Sequence, residues 1–200
     1  LGEVLHIKGL TAGALTGLNL TLTAGECLAL TGPRGVGKST LLRGIAGLAP
    51  TKAEAMRFQA RDLLTLDAAA RARAGIALCA EGGIFATLTV AENLALGARL
   101  ARPGPWTPKR VWALFPDLRT LGHRPAARIS GGQAQMLTLG RALLANPALL
   151  LVDEVTTGLS PLVAGQIHQV LDVLASEGMA LIVAGALPNG RHRSLNLEAA

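Results

Sequence analysis

Aromatic residues are nearly missing from this chain: Tyr is 0, Phe 3 and Trp 2, so aromatics make up only 2% of 200 residues. That excludes the stacking platforms on which proteins hold single-stranded nucleic acid. Lys+Arg 19 against Asp+Glu 13 leaves a formal charge of +6, but the arginines are scattered rather than massed. No nucleic-acid partner is expected. Cysteine is scarce too, and Cys27 and Cys79 form no metal-ligand pattern. They read as small buried hydrophobes of a reducing compartment. No apolar stretch is long enough to span a bilayer. The opening Leu1-Gly2-Glu3-Val4 lacks the basic segment and long apolar run of a secretion signal. At a membrane, the chain is therefore expected as a peripheral subunit.

Low-complexity tracts, long like-charge blocks and fixed-period repeats are absent as well. What is present is apolar material, 50% of the chain, enough for one core with a small lobe. Val4–Ile7 and Leu18–Leu22 alternate in part and read as half-buried strands. Cys27–Leu30, Ile76–Cys79, Ala148–Val152 and Ala180–Val183 are short apolar runs fit for central strands. Helices are expected over Lys38–Gly47, over Gly131–Ala145 and from Pro161 onward. Residues 87–128 read as helical, broken at Arg102-Pro103-Gly104-Pro105 and near Phe115-Pro116. Strands alternating with helices imply an α/β fold with a mostly parallel sheet.

The chemistry starts at Gly32-Pro33-Arg34-Gly35-Val36-Gly37-Lys38-Ser39-Thr40, which fits G-x-x-x-x-G-K-[ST] between a strand and a helix. Glycines there let backbone N–H groups curl round a phosphate, and the helix start adds partial positive charge. Lys38 would reach the β- and γ-phosphates of a nucleoside triphosphate, and Ser39 would ligate Mg²⁺. Downstream, the apolar run to Val152 leads into Asp153-Glu154. An Asp at the carboxyl end of a core strand can hold Mg²⁺ through water, and the adjacent Glu can polarise an attacking water. Two acids after a strand are weak as a signal alone, and strong behind a phosphate loop.

Ser130-Gly131-Gly132-Gln133 opens a helix about twenty residues before these acids, and a Ser hydroxyl with Gly N–H groups at a helix start makes an anion site. Here the sequence resembles the nucleotide-binding subunits of ABC transporters, whose signature is L-S-G-G-Q. Ser130–Leu137, Gly140-Arg141-Ala142-Leu143, Ile84–Leu94 and Gly158–Pro161 are similar to the shorter ATP-binding subunit of branched-chain amino acid importers. The resemblance spans about residues 1–184. It implies the ABC ATPase type of P-loop NTPase core, with N-terminal antiparallel strands, core segments 1–86 and 129–187, and an inserted helical lobe at 87–128. It further implies ATP and Mg²⁺ as cofactors, a homodimer or heterodimer with a second ATP-binding subunit, and transmembrane permease subunits as partners. The location it implies is the cytoplasmic face of the inner or plasma membrane. Each ATP would lie between one subunit's Gly32–Thr40 and the other's Ser130–Gln133. Glu154 would be the catalytic base. Ser39, Asp153 and Glu81 would hold the metal, and Gly82–Leu88 would face the membrane partner.

Five departures from the family pattern stand beside this. Thr11–Leu15 is short and lacks the aromatic that stacks on adenine, a contact worth about 1–3 kcal/mol per base in nucleic-acid examples. The loop from Glu81 to Phe85 is one residue short. Val155 stands where the family has Pro. Gly185 occupies the position of the switch His or Gln, so no side chain would reach the γ-phosphate there, and His192 lies seven residues too late. The tail, 188–200, does not resemble the family's closing elements and is expected to leave a core strand with an unpaired edge. Two readings follow: an ATPase subunit energising an importer of branched-chain or other amino acids, or an ATP-binding module that regulates or has decayed and turns over slowly. Soluble ABC proteins, which carry two cassettes in one chain, are a more distant third.

Overall fold

The alternation of short apolar runs with helices becomes two sheets in the computed structural model, which describes residues 2–80, 82–99, 101–154, 156–185, 187–188 and 192–198. The first sheet is antiparallel. Strands β1 (Glu3–Ala12) and β2 (Leu15–Thr23) form a hairpin, and β4 (Ala55–Phe58) and β5 (Arg61–Asp62) extend it in the order β2-β1-β4-β5. The hairpin is longer than its alternating cores because Gly9, at φ 62, lies where the register shifts between Ile7 and Leu10. A left-handed glycine absorbs that irregularity without a Cβ clash.

The second sheet is wholly parallel, in the order β6-β7-β8-β3-β9. Its strands are β3 (Cys27–Thr31), β6 (Ile76–Ala80), β7 (Leu149–Asp153), β8 (Ala180–Ala184) and β9 (Arg193–Asn196). All residues of β7 and β8 are buried, as the continuous apolar runs Leu-Leu-Leu-Val and Ala-Leu-Ile-Val-Ala require of strands covered on both faces. Side chains alternate between two cores. Leu149 and Leu151 enter one core with the antiparallel sheet and with Leu41, Leu42 and Ile45 of α1 (Lys38–Ile45). Leu150 and Val152 enter the other, with α6 (Gly131–Leu144), α7 (Pro161–Ser176) and the lobe.

The expected breaks at 102–105 and 115–116 separate α3 (Val90–Ala98), α4 (Pro108–Leu114) and α5 (Pro116–Thr120). These helices pack on α6 and bury Leu94, Val111, Phe115 and Leu118 in the second core. A further helix, α2 (Ala68–Ala74), has no counterpart among the sequence expectations. Arg71 on it is 6% exposed and donates to the carbonyls of Gly44, Ile45, Leu63 and Leu66. Two of those acceptors close the end of α1, so one guanidinium satisfies a helix terminus from outside the helix.

The tail corrects the expectation of an unpaired core strand. β9 pairs in parallel with β3, from Leu28 opposite Arg193 to Thr31 opposite Asn196. Leu197 is 2% exposed in the first core, and Arg193 pairs with Glu26 at 2.6 Å. Four residues reading Arg-Ser-Leu-Asn carry too little alternation to announce a strand; the neighbouring strand recruits them.

Candidate nucleotide site

The β3-to-α1 turn is where backbone conformation demands glycine. Gly32, Gly35 and Gly37 have φ of 133, 84 and 111. A Cβ on Gly32 would stand 2.3 Å from the carbonyl oxygen of Leu197, the residue that follows β9, so the end of that strand backs the loop. Gly37 is the N-cap of α1 and makes no side-chain cap hydrogen bond. The donors at this helix start therefore have no capping side chain, the condition that suits an anion.

Lys38 is 8% exposed, and its Nζ donates to the carbonyls of Gly32 and Pro33, both at 3.0 Å. The ammonium thus closes the loop on itself. Ser39 Oγ donates to Asp153 Oδ1 at 2.8 Å, joining the loop to the end of β7 across 114 residues of sequence. Asp153 is buried between Ala80 and Ala184 of the flanking strands. Glu154 has φ 48, a left-handed conformation uncommon for a non-glycine residue. It lines two adjoining clefts. One, about 120 Å³, is shared with Gly35, Gly37, Lys38, Ser39 and Thr40. The other, about 280 Å³, runs along Thr31, Gly32, Lys38, Thr157 and Gly185.

A hydroxyl and a carboxylate held 2.8 Å apart are the hard oxygen donors Mg²⁺ takes, with nucleotide phosphates and waters completing its octahedron. Among the described residues no group of three or more His, Cys, Asp or Glu could hold a metal. Glu81, the third expected ligand, lies outside the described residues, as does Val155.

Gly13 and Ala14 alone join β1 to β2, so the expected short loop is a tight turn. Its tip touches the phosphate loop: a Cβ on Gly37 would meet Leu15 Cγ at 3.1 Å, and one on Gly13 would meet Thr40 Cγ2 at 3.3 Å. Gly185 closes β8 with φ 124, and its N–H donates to the Leu30 carbonyl at 3.0 Å. A Cβ there would meet nothing within 4 Å, so space exists, but the backbone conformation belongs to glycine.

The structure does not bring Ser130–Gln133 to this cleft; none of the four lines it. They start α6 as a capping box. Ser130 Oγ accepts from Gln133 N–H at 3.3 Å, and Gln133 Oε1 accepts from Ser130 N–H at 2.9 Å. Gly132 faces α7, where a Cβ on it would come within 2.7 Å of Val163 Cγ1.

Sequence reasoning missed Asn93. It is fully buried, accepts from Phe85 N–H at 2.8 Å and donates to the carbonyls of Phe85 and Thr89, both at 2.9 Å. An Asn inside a helix is a poor helix former, and that was the available signal. Here it pins residues 85–89 to α3. Burial pushes the Cys79 and Cys27 thiols up to about 12, away from the thiolate form.

A phosphate loop on a parallel sheet, joined by Ser39 to a buried Asp at the end of β7, the next strand but one, defines a P-loop nucleotide-binding domain. The comparisons narrow the class. The family model described as ABC transporter matches residues 15–157, and the chain belongs to that family. It is 35% identical over 173 residues to the high-affinity branched-chain amino acid transport ATP-binding protein BraG of Pseudomonas aeruginosa, covering 85% of this chain and 74% of that one. The phosphonates import ATP-binding protein PhnC of Alcaligenes faecalis is 35% identical over 187 residues, 85% of this chain and 67% of its own. The chain spans about half, 52%, of the Mycobacterium tuberculosis molybdenum import ATP-binding protein ModC, which is 34% identical over 193 residues. Among solved structures, a nucleotide-free ATP-binding cassette from an ABC transporter superposes with TM-score 0.76 at 25% identity, over 92% of this chain and 82% of that one. An ATP-binding subunit of an ABC transporter gives TM-score 0.82 over 98% and 86%; at 23% identity it speaks for the fold alone.

Proposed function

We propose that this chain binds Mg-ATP at Gly32–Thr40 and hydrolyses it to drive a membrane importer. The observation that carries the reading is the Ser39–Asp153 hydrogen bond, which unites phosphate loop and strand-end carboxylate at one point. Backbone N–H groups of Gly32, Arg34, Gly35, Val36 and Gly37, with Thr40 at the start of α1, would wrap the phosphates. Lys38 would exchange its two carbonyl acceptors for β- and γ-phosphate oxygens. Mg²⁺, held by Ser39, Asp153 and Glu81, would neutralise charge on those oxygens when bound. Glu154 would accept a proton from water attacking the γ-phosphorus, releasing ADP and phosphate. Ser130–Gln133 of a second subunit would complete the site.

In this reading the lobe and Gly82–Leu88 meet transmembrane permease subunits, and the chain works on the cytoplasmic face of the membrane. No helix among the described residues is long and apolar enough to cross a bilayer, which fits a peripheral attachment. The relatives' names span branched-chain amino acids, phosphonates and molybdenum. The quoted motifs favour amino acids. Gly185 supports the second reading, a slowly hydrolysing ATP-binding module, since it lines the cleft without a side chain. Steady-state phosphate release by the wild type and by Glu154→Gln separates the two. A transporter ATPase loses at least about a hundredfold in that variant, the usual scale for general acid–base catalysis. Equal rates, even beside its membrane partner, sink the hydrolysis.

A further inference from the structure

Arginines are scattered along this chain, but the carboxylates that would balance them are not. Between residues 99 and 128, the stretch that holds α4 and α5, seven lysines and arginines stand against one acid, Asp117. That excess equals the whole formal charge of +6, so the rest of the chain is balanced. Arg110 is engaged within the fold, paired with Glu177 and lying over the Trp106 ring, 4.0 Å away. Arg119, Arg124 and Arg128 are exposed, and none has a carboxylate within ion-pair distance among the described residues. They sit in one run, from the end of α5 to the residue before Ile129, with exposed His123 among them. Backbone hydrogen bonds fix where the run lies. Val90 N–H donates to the Arg124 carbonyl at 3.0 Å, and Ala126 and Ala127 donate to the carbonyls of Leu88 and Ala86 at 2.8 and 3.1 Å. The basic run is therefore laced to the segment that follows exposed Phe85. Glu92, on the helix start beside that seam, is turned to the Thr89 N–H and hydroxyl, both at 2.8 Å.

Unbalanced charge gathered on one side of a protein draws a partner of the opposite sign. We infer that Arg119, Arg124 and Arg128 form a contact for anionic lipid headgroups, made when residues 82–88 meet the membrane subunits. The inference rests on the transporter reading above, which puts residues 82–88 at the membrane, and adds a direct contact with the bilayer surface beside them. A guanidinium presents a planar fork of donors that matches phosphate oxygens. With no carboxylate holding them, these three can follow headgroups that diffuse. A protein partner would need an apolar centre to dock on. Here Leu118 and Ala126, the apolar side chains of the run that are fully turned inward, lie in the second core, so charge is what the run shows outside. A headgroup layer asks for nothing more, and each cation near an anionic one strengthens binding about fivefold.

Co-sedimentation of the intact chain with vesicles tests this, comparing phosphatidylcholine alone with an equal mixture of phosphatidylcholine and phosphatidylglycerol. Binding is expected on the mixed vesicles only, and it should fade as salt shortens the screening length from about 10 Å to about 3 Å. A variant carrying Arg119→Gln, Arg124→Gln and Arg128→Gln should lose about a hundredfold in partition coefficient, three factors of about five. A second variant, with Arg43→Gln, Arg57→Gln and Arg61→Gln, removes the same charge from exposed positions on α1, β4 and β5. It should lose less than about fivefold. Equal losses in the two variants would mean that net charge alone acts, and overturn the assignment to this run. No binding to the mixed vesicles, or equal binding to both kinds, overturns the lipid contact. Soluble polyglutamate bound through the same three arginines, without vesicle binding, would put an acidic protein in the lipid's place. The wild-type comparison needs no variant to fold. Mg-ATP binding measured on the same samples reports separately on the nucleotide site. A chain that binds ATP but not the vesicles loses only this inference; one that binds the vesicles but no ATP loses the transporter reading.

Discussion

Two helices in this chain begin at glycine-rich turns, and they are built in opposite ways. At α1 the N-cap is Gly37, left-handed and without a side-chain cap, so the first N–H groups face the cleft uncapped. At α6 the N-cap is Ser130, and Ser130 and Gln133 satisfy each other's backbone in a closed capping box. The first turn has the uncapped donors that suit an anion. The second is already satisfied within its own subunit and sits away from the cleft. In the proposed reading, a nucleotide would take its donors from the first turn. The second turn would contribute only across a subunit boundary, by presenting what its box leaves free. Similar composition and opposite capping would then divide the work into grip and completion.

The comparison breaks most severely at Lys38. Lys38→Ala removes the buried side-chain cation of the first turn, and Mg-ATP affinity should fall by about a hundredfold or more in a calorimetric titration. Unchanged affinity would mean the phosphates bind elsewhere. Ser130→Ala probes the second turn. It should cost about 1 kcal/mol in denaturant unfolding through loss of the cap, while nucleotide affinity of the isolated chain stays put. Loss of affinity in the isolated chain would show the two turns meeting within one subunit. The smallest effect distinguishes two capping boxes. In α3, Thr89 is capped by Glu92, whose carboxylate the Thr89 N–H and hydroxyl hold below the usual carboxylate range. A depressed carboxylate stabilises above its unfolded pKa and loses that contribution as pH falls through its folded pKa. Amide exchange at the start of α3 should therefore accelerate below about pH 4, allowing for the intrinsic rate. At α6, where the neutral Gln133 caps, it should not.

Much of this was legible. The phosphate loop, Asp153-Glu154 and the Ser130 helix start are short-range patterns whose residue types carry their chemistry wherever the chain goes. The runs behind β3, β6, β7 and β8 were legible because parallel strands buried on both faces need unbroken apolar side chains. What escaped depends on distance. β9 exists because β3 offers a free edge, and Arg71 acquires its role from carbonyls 26 and 27 residues away. Strand β4 alternates over only four residues, and α2 is mostly alanine, with no contrast between faces. The hairpin outgrew its expected strands because Gly9 let the pairing continue past an irregularity that periodicity alone would stop at. Arg141 belonged to a motif quoted for resemblance, but only the folded structure shows that its Nη1 has no acceptor.

Thr31, at the threshold of the phosphate loop, donates to the carbonyl of Leu195, 164 residues further along. Closing so long a stretch of chain before any reward arrives is slow by the logic of contact order. During synthesis the glycine turn leaves the ribosome well before the strand that backs it, which holds Leu195, 164 residues further along. Until that strand emerges, the nascent chain carries a phosphate loop without its support, and competence for nucleotide waits on it.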